Sequence, residues 1–116
     1  KMSVGIFTPK SMRSPMATAM FELDAVPAEA RLKIEGQDSV KFLPPQAQMR
    51  ITLNDTKVFE GPCGFVKHDW SWRTWDLPSG ALKKGTNVLK IENIGTSRRT
   101  DHYWIMLSEA QIVFDK

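Results

Sequence analysis

The 116-residue chain has one cysteine, Cys63, so it cannot close an intramolecular disulfide, and its Cys and His residues have no zinc-type spacing. A buried, unreactive thiol is the expected state of Cys63, because nothing local would activate it with His68 or His102. No apolar stretch approaches the ~20 residues that cross a bilayer as a helix. Neither a glycine-rich phosphate loop nor a nucleophile elbow is present. No segment holds a 3.6-residue apolar period for three turns, and there is no internal repeat or low-complexity tract. Charge of one sign is also scarce. Sixteen Lys and Arg face thirteen Asp and Glu, a net charge of +3, and outside Lys83-Lys84 and Arg98-Arg99 the positive residues are scattered. A nucleic-acid surface would need a basic stripe. These absences argue against an enzyme, a nucleic-acid binder and a membrane span.

What is there reads as one ordinary folded domain. Hydrophobic residues make up 41% and charged residues 25% of the chain, enough for one core at this length but not two. Residues 1–16, with Val4 to Phe7 set among Pro9, Pro15, Lys10 and Arg13, are expected to form a lead-in arm with at most one short strand. Residues 17–116 are expected to form a single module. The opening Lys1-Met2-Ser3-Val4 has no signal-peptide pattern. The expectation is a piece of a longer extracellular or cell-surface protein, its signal peptide upstream.

Period-two alternation then recurs along the chain. Ala19, Phe21 and Leu23 alternate with Met20, Glu22 and Asp24, and Ala30, Leu32 and Ile34 with Arg31, Lys33 and Glu35 before Gly36. Met49, Ile51 and Leu53 lead into the turn signal Asn54-Asp55, and Val58-Phe59 resumes, predicting a hairpin. Lys84 to Asn87 turns into a strand from Val88 to Ile94. A last strand from about His102 to Phe114 is apolar on both faces at first and alternating later, with a bulge expected near Ser108. Short strands, turn signals and no helices predict an all-β antiparallel sandwich.

Trp75-Asp76-Leu77, followed by Leu82-Lys83-Lys84-Gly85-Thr86-Asn87-Val88-Leu89, resembles the signature of galactose-binding-like jelly-roll domains. The hairpin around Ile51-Thr52-Leu53-Asn54 is similar to theirs, with Asp55 where Gly is commoner. Ala28 to Ile34 and Ser108 to Phe114 resemble early and closing strands of that fold. The resemblance implies a galactose-binding-like β-sandwich that serves as a carbohydrate-binding module or an accessory domain of a glycoside hydrolase. It implies Trp75 in the core, and it admits a structural calcium ion, for which Glu22, Asp24, Asp38 and Asp115 are candidate donors.

A sugar site needs a flat aromatic face for the C–H side of a pyranose and planar polar groups for its hydroxyls. Two segments supply both. The first is 65–76, where Trp70 and Trp72 lie two apart, flanked by His68, Asp69 and Arg73. The second is 95–104, with Arg98, Arg99, Asp101, His102, Tyr103 and Trp104. The arginines there would suit a carboxylate or sulfate. The expected partner is a polysaccharide or oligosaccharide, bound by a monomeric, non-catalytic module that keeps a catalytic domain of the same chain near its substrate. The alternative is an accessory domain with no sugar ligand, whose exposed aromatics pack against a neighbouring domain.

Overall fold

The computed structural model describes residues 2–7, 10–12, 16–38, 47–94 and 105–114, with backbone alone through Met16. Among these residues there is no helix. Nine strands run in chain order: β1 (Met2–Phe7), β2 (Lys10–Met12), β3 (Met16–Leu23), β4 (Ala30–Asp38), β5 (Gln48–Leu53), β6 (Thr56–Pro62), β7 (Ser71–Asp76), β8 (Gly85–Asn93) and β9 (Ile105–Phe114). One sheet has the order β1-β9-β4-β7, with β2 also pairing β9. The other has the order β3-β8-β5-β6. All pairings between strands are antiparallel. The architecture is the predicted all-β sandwich. Residues 1–16 contribute more than the one strand expected of an arm: β1 and β2 together flank β9 along most of its length.

The alternation read from the sequence becomes the core. Leu32 and Ile34 of β4 and Ile105, Leu107, Ala110 and Ile112 of β9 are buried on one layer. They lie opposite Met49, Ile51 and Leu53 of β5 and Leu89 and Ile91 of β8. Each such Leu, Ile or Met side chain removed from water contributes roughly 1.5–3 kcal/mol. Their polar alternates face outward because successive Cβ atoms point to opposite faces of a strand.

Turn chemistry fixes the connections. Asn54 and Asp55 both have positive φ, at 49° and 68°, which is the backbone of a two-residue type I′ hairpin whose twist matches the strands it joins. The 77–84 segment is a turn rather than a helix. Leu82 is buried, Gly85 takes φ of +90°, and Asn87 is fully buried. The Asn87 amide accepts from Lys83 N–H (2.9 Å) and donates to Lys83 O (2.8 Å) and Gly85 O (3.1 Å), so it clamps the turn. The Leu-x-x-Gly-x-Asn pattern thus encodes a core anchor, a left-handed turn residue and a buried polar clamp.

The expected bulge is present. Glu35 lies opposite Glu109 and Gly36 opposite Leu107, so Ser108 is the additional residue on β9. A Cβ at Gly36 would sit 2.8 Å from Met106 O and 2.8 Å from the Phe65 ring, which is why this rung of β4 takes glycine.

The sandwich has two ends. One carries the Asn54-Asp55 turn, residues 24–29 and 77–84, and the end of β9. The other carries Asp38, residues 63–70, and the residues that flank 95–104, Ile94 and Ile105.

Candidate functional site

Asp38 closes β4 fully buried and organises the second end through its backbone. Its N–H donates to Val66 O (3.0 Å), and its C=O accepts from His68 N–H (2.9 Å). Residues 66–68 therefore run as a short parallel bridge beside β4. His68 then takes a positive φ of 57°, and Asp69 Oδ1 accepts from Trp70 N–H (2.8 Å). Ser71 Oγ accepts from Val66 N–H (2.9 Å). The segment leads into β7 with a defined path, and two indoles emerge there. Trp70 is 41% and Trp72 39% exposed. A tryptophan ordinarily gains by burying its ring, so two this exposed within three residues leave apolar area open to a partner.

Trp72 belongs to β7 itself and not to a loop. On this strand Ser71, Arg73 and Trp75 turn inward, while Trp72, Thr74 and Asp76 face out. Lys33 Nζ stands 4.7 Å from the centroid of the Trp72 ring, a cation over an aromatic face. Trp75 is buried, as its position in the resembled motif implied.

The structure turns Arg73 away from the aromatic surface. Its guanidinium carbon lies 4.8 Å from the Trp75 centroid and 5.0 Å from that of Phe59, and Nη1 donates to Cys63 O (2.6 Å) and Pro62 O (3.4 Å). Arg73 bridges the edge strands of the two sheets, β7 and β6. Asp69, Trp70 and Trp72 remain together at the head of β7. Arg98, Arg99, Asp101, His102, Tyr103 and Trp104 lie outside the described residues.

Cys63 is buried, and burial pushes its thiol up to about 11, so it stays protonated and is no nucleophile at neutral pH. The candidate calcium donors do not form one site. Glu22 and Asp24 are exposed at the end of β3, near the Gly85 turn, whereas Asp38 is at the opposite end, and Asp115 lies outside the described residues. Among the described residues no three His, Cys, Asp or Glu side chains converge on a point. A concavity of about 800 Å³ opens at the turn end between Arg31, Asp76 and Pro78. Its lining has no tryptophan, and its one aromatic ring, Phe114, is half-buried, so it lacks the flat exposed face a sugar ring needs.

Solved structures that match this architecture over nearly their whole length include carbohydrate-binding modules. A family 35 carbohydrate-binding module from Clostridium thermocellum superposes with a TM-score of 0.64 at 11% identity, over 99% of this chain and 100% of that one. The chain has the fold of carbohydrate-binding modules. A second module, CBM36 in complex with calcium and xylotriose, matches with a TM-score of 0.58 at 9% identity, over 99% of this chain and 100% of that one. Latent PorU from Porphyromonas gingivalis matches with a TM-score of 0.61 at 11% identity over 90% of this chain, which spans only 10% of PorU. No family model matches the sequence, and no curated protein does.

Sequence reasoning missed the residues that surround Trp72. Lys33, Glu35, Ser108, Glu109 and Gln111 share its outer face, on strands whose order in the sheet no local pattern discloses. The period-two alternation did mark most of them as outward-facing.

Proposed function

We propose that this chain is a non-catalytic carbohydrate-binding module that holds a carbohydrate-active enzyme of the same polypeptide at its glycan, outside the cell. The observation that carries the reading is the pair of exposed tryptophans at the head of β7, on a sandwich whose other described tryptophan is buried. An indole face stacks against the C–H side of a pyranose, and the burial of that apolar area supplies affinity while neighbouring polar groups supply orientation. Tethering raises the local concentration of the enzyme without adding chemistry of its own. The xylotriose complex of a CBM36 module with this fold supports the reading by analogy of fold. No calcium ion is assigned to Glu22, Asp24 and Asp38, which do not meet.

The test is affinity electrophoresis of the whole 116-residue chain through gels carrying arabinoxylan, β-glucan, mannan or galactan. Retardation by at least one, relieved in the Trp70→Ala/Trp72→Ala double variant, supports the reading. Free migration through all four removes its support. If Trp70 and Trp72 are instead protected from oxidation by a neighbouring domain of the longer protein, they serve a domain interface.

A further inference from the structure

The outer face of the β7–β4–β9 sheet brings together side chains that lie far apart in sequence. In one row across three adjacent strands stand Trp72, Glu35 and Glu109. In the next row stand Thr74, Lys33 and Gln111. Strand spacing makes each row about 10 Å wide. The bulge alters the first row. Because Ser108 is the additional residue, Ser108 and Glu109 are consecutive and both half-exposed on this face, where a regular strand would present only one of them.

These groups are held in place. Ser108 Oγ donates to Glu35 Oε1 (2.6 Å), and Gln111 Nε2 donates to Glu109 Oε1 (2.7 Å). Lys33 is held over Trp72. Fixed rotamers lower the entropy lost when a ligand binds. Donors and acceptors alternate beside an aromatic face, with Lys33 as a cationic donor, Gln111 as both, and Glu35 and Glu109 as charged acceptors. The two glutamates outweigh the one lysine in these rows, which disfavours a carboxylate or sulfate ligand.

We propose that this sheet face, and not the loop tip at Trp70, is the principal ligand surface, and that it takes an uncharged glycan laid across β7, β4 and β9. The inference rests on the carbohydrate-binding reading above and deepens it. Trp72 receives one ring of the glycan, and Lys33, Glu35, Ser108, Glu109 and Gln111 read hydroxyls beside it. All of these side chains are on strands and none belongs to the buried core, so truncating them leaves the core intact.

The test uses the four polysaccharide gels with the wild type and three variants, Trp72→Ala, Glu109→Ala/Gln111→Ala and Trp70→Ala, each first shown to melt like the wild type. The expected result is a loss of about tenfold or more in affinity for the first two, the scale of a central contact, and less than about threefold for Trp70→Ala. Retention is expected to be indifferent to added salt, as suits an uncharged ligand. A glycan whose retention is abolished by Trp70→Ala and kept by the sheet-face variants overturns this inference while the carbohydrate-binding reading stands. Retention that is confined to a sulfated or uronic-acid gel run alongside also overturns it. Free migration of the wild type through every gel overturns both.

Discussion

Asn87 offers a sharp test of how the motif residues act. It is a fully buried amide with four hydrogen bonds: it accepts from Asn54 Nδ2 (2.7 Å) and Lys83 N–H (2.9 Å) and donates to Lys83 O and Gly85 O. Asn54 in turn donates to Ala81 O (2.9 Å) and accepts from Val88 N–H (2.8 Å), so the two asparagines tie the β5–β6 turn to the segment that starts β8. Asn87→Ala removes all four bonds. Each contributes about 1 kcal/mol net, and partners left dry cost more, but the surface turn lets water reach some of them. A loss of about 3 kcal/mol follows, which in a domain of this size lowers the melting temperature by about 12 °C. Asn87→Asp is expected to fall as far, because its carboxylate would face two carbonyl oxygens it cannot donate to. Thermal melts followed by circular dichroism, with exposed Thr86→Ala as the control, measure this directly. An Asn87→Ala protein that melts within about 2 °C of the wild type would refute the clamp.

Other expectations follow from single contacts. Arg73→Ala should cost about 2 kcal/mol by uncovering the packed Phe59 and Trp75 rings and freeing Cys63 O, and Arg73→Lys should recover only part, since an ammonium lacks the planar fork. Denaturant midpoints measure both, and unchanged stability in Arg73→Ala would contradict the bridge. Cys63 should resist thiol reagents at pH 8 until the chain is unfolded, and rapid native labelling would show that it is not buried. Its folded value of about 11 lies above the ordinary 9.0, so the unfolded chain releases this proton first. The resulting stability is therefore complete below pH 9 and declines as pH rises to 11, by up to about 3 kcal/mol. Cys63→Ala should flatten that decline in denaturant titrations between pH 8 and 11. Gly36→Ala should destabilise by about 2 kcal/mol or more, because its Cβ meets backbone at Met106 and the buried Phe65 ring; a neutral effect on the melt would mean β4 yields there.

The strands and their buried faces were legible because a half-buried strand writes its burial in a period of two. Leu32, Ile34, Met49, Ile51 and Leu53 all face the side their alternation indicates. The Asn54-Asp55 turn and the bulge at Ser108 were legible for a related reason: one needs residues that tolerate positive φ, and the other interrupts the alternation. The pairing of β1 and β2 with β9 was not, since Met2 to Met12 carries no clean pattern and sheet order depends on contacts far apart in the chain. Nor could composition tell Trp72 from Arg73. Both looked like sugar-reading groups, yet the pleat sends one outward and the other over the rings of Phe59 and Trp75. The surface around Trp72 combines β4, β7 and β9, separated by tens of residues, so only the folded register reveals it.

The measurement that bears most directly on the central claim is a two-dimensional ¹⁵N NMR titration of the chain with an oligosaccharide from whichever gel retains it. Binding on the sheet face should shift the amides of Lys33, Glu35, Trp72, Ser108 and Glu109 saturably, together with the Trp72 indole N–H, and leave Ser79 and Gly80 at the far turn unmoved. Shifts confined to that turn, or none at the highest sugar concentration, would contradict it.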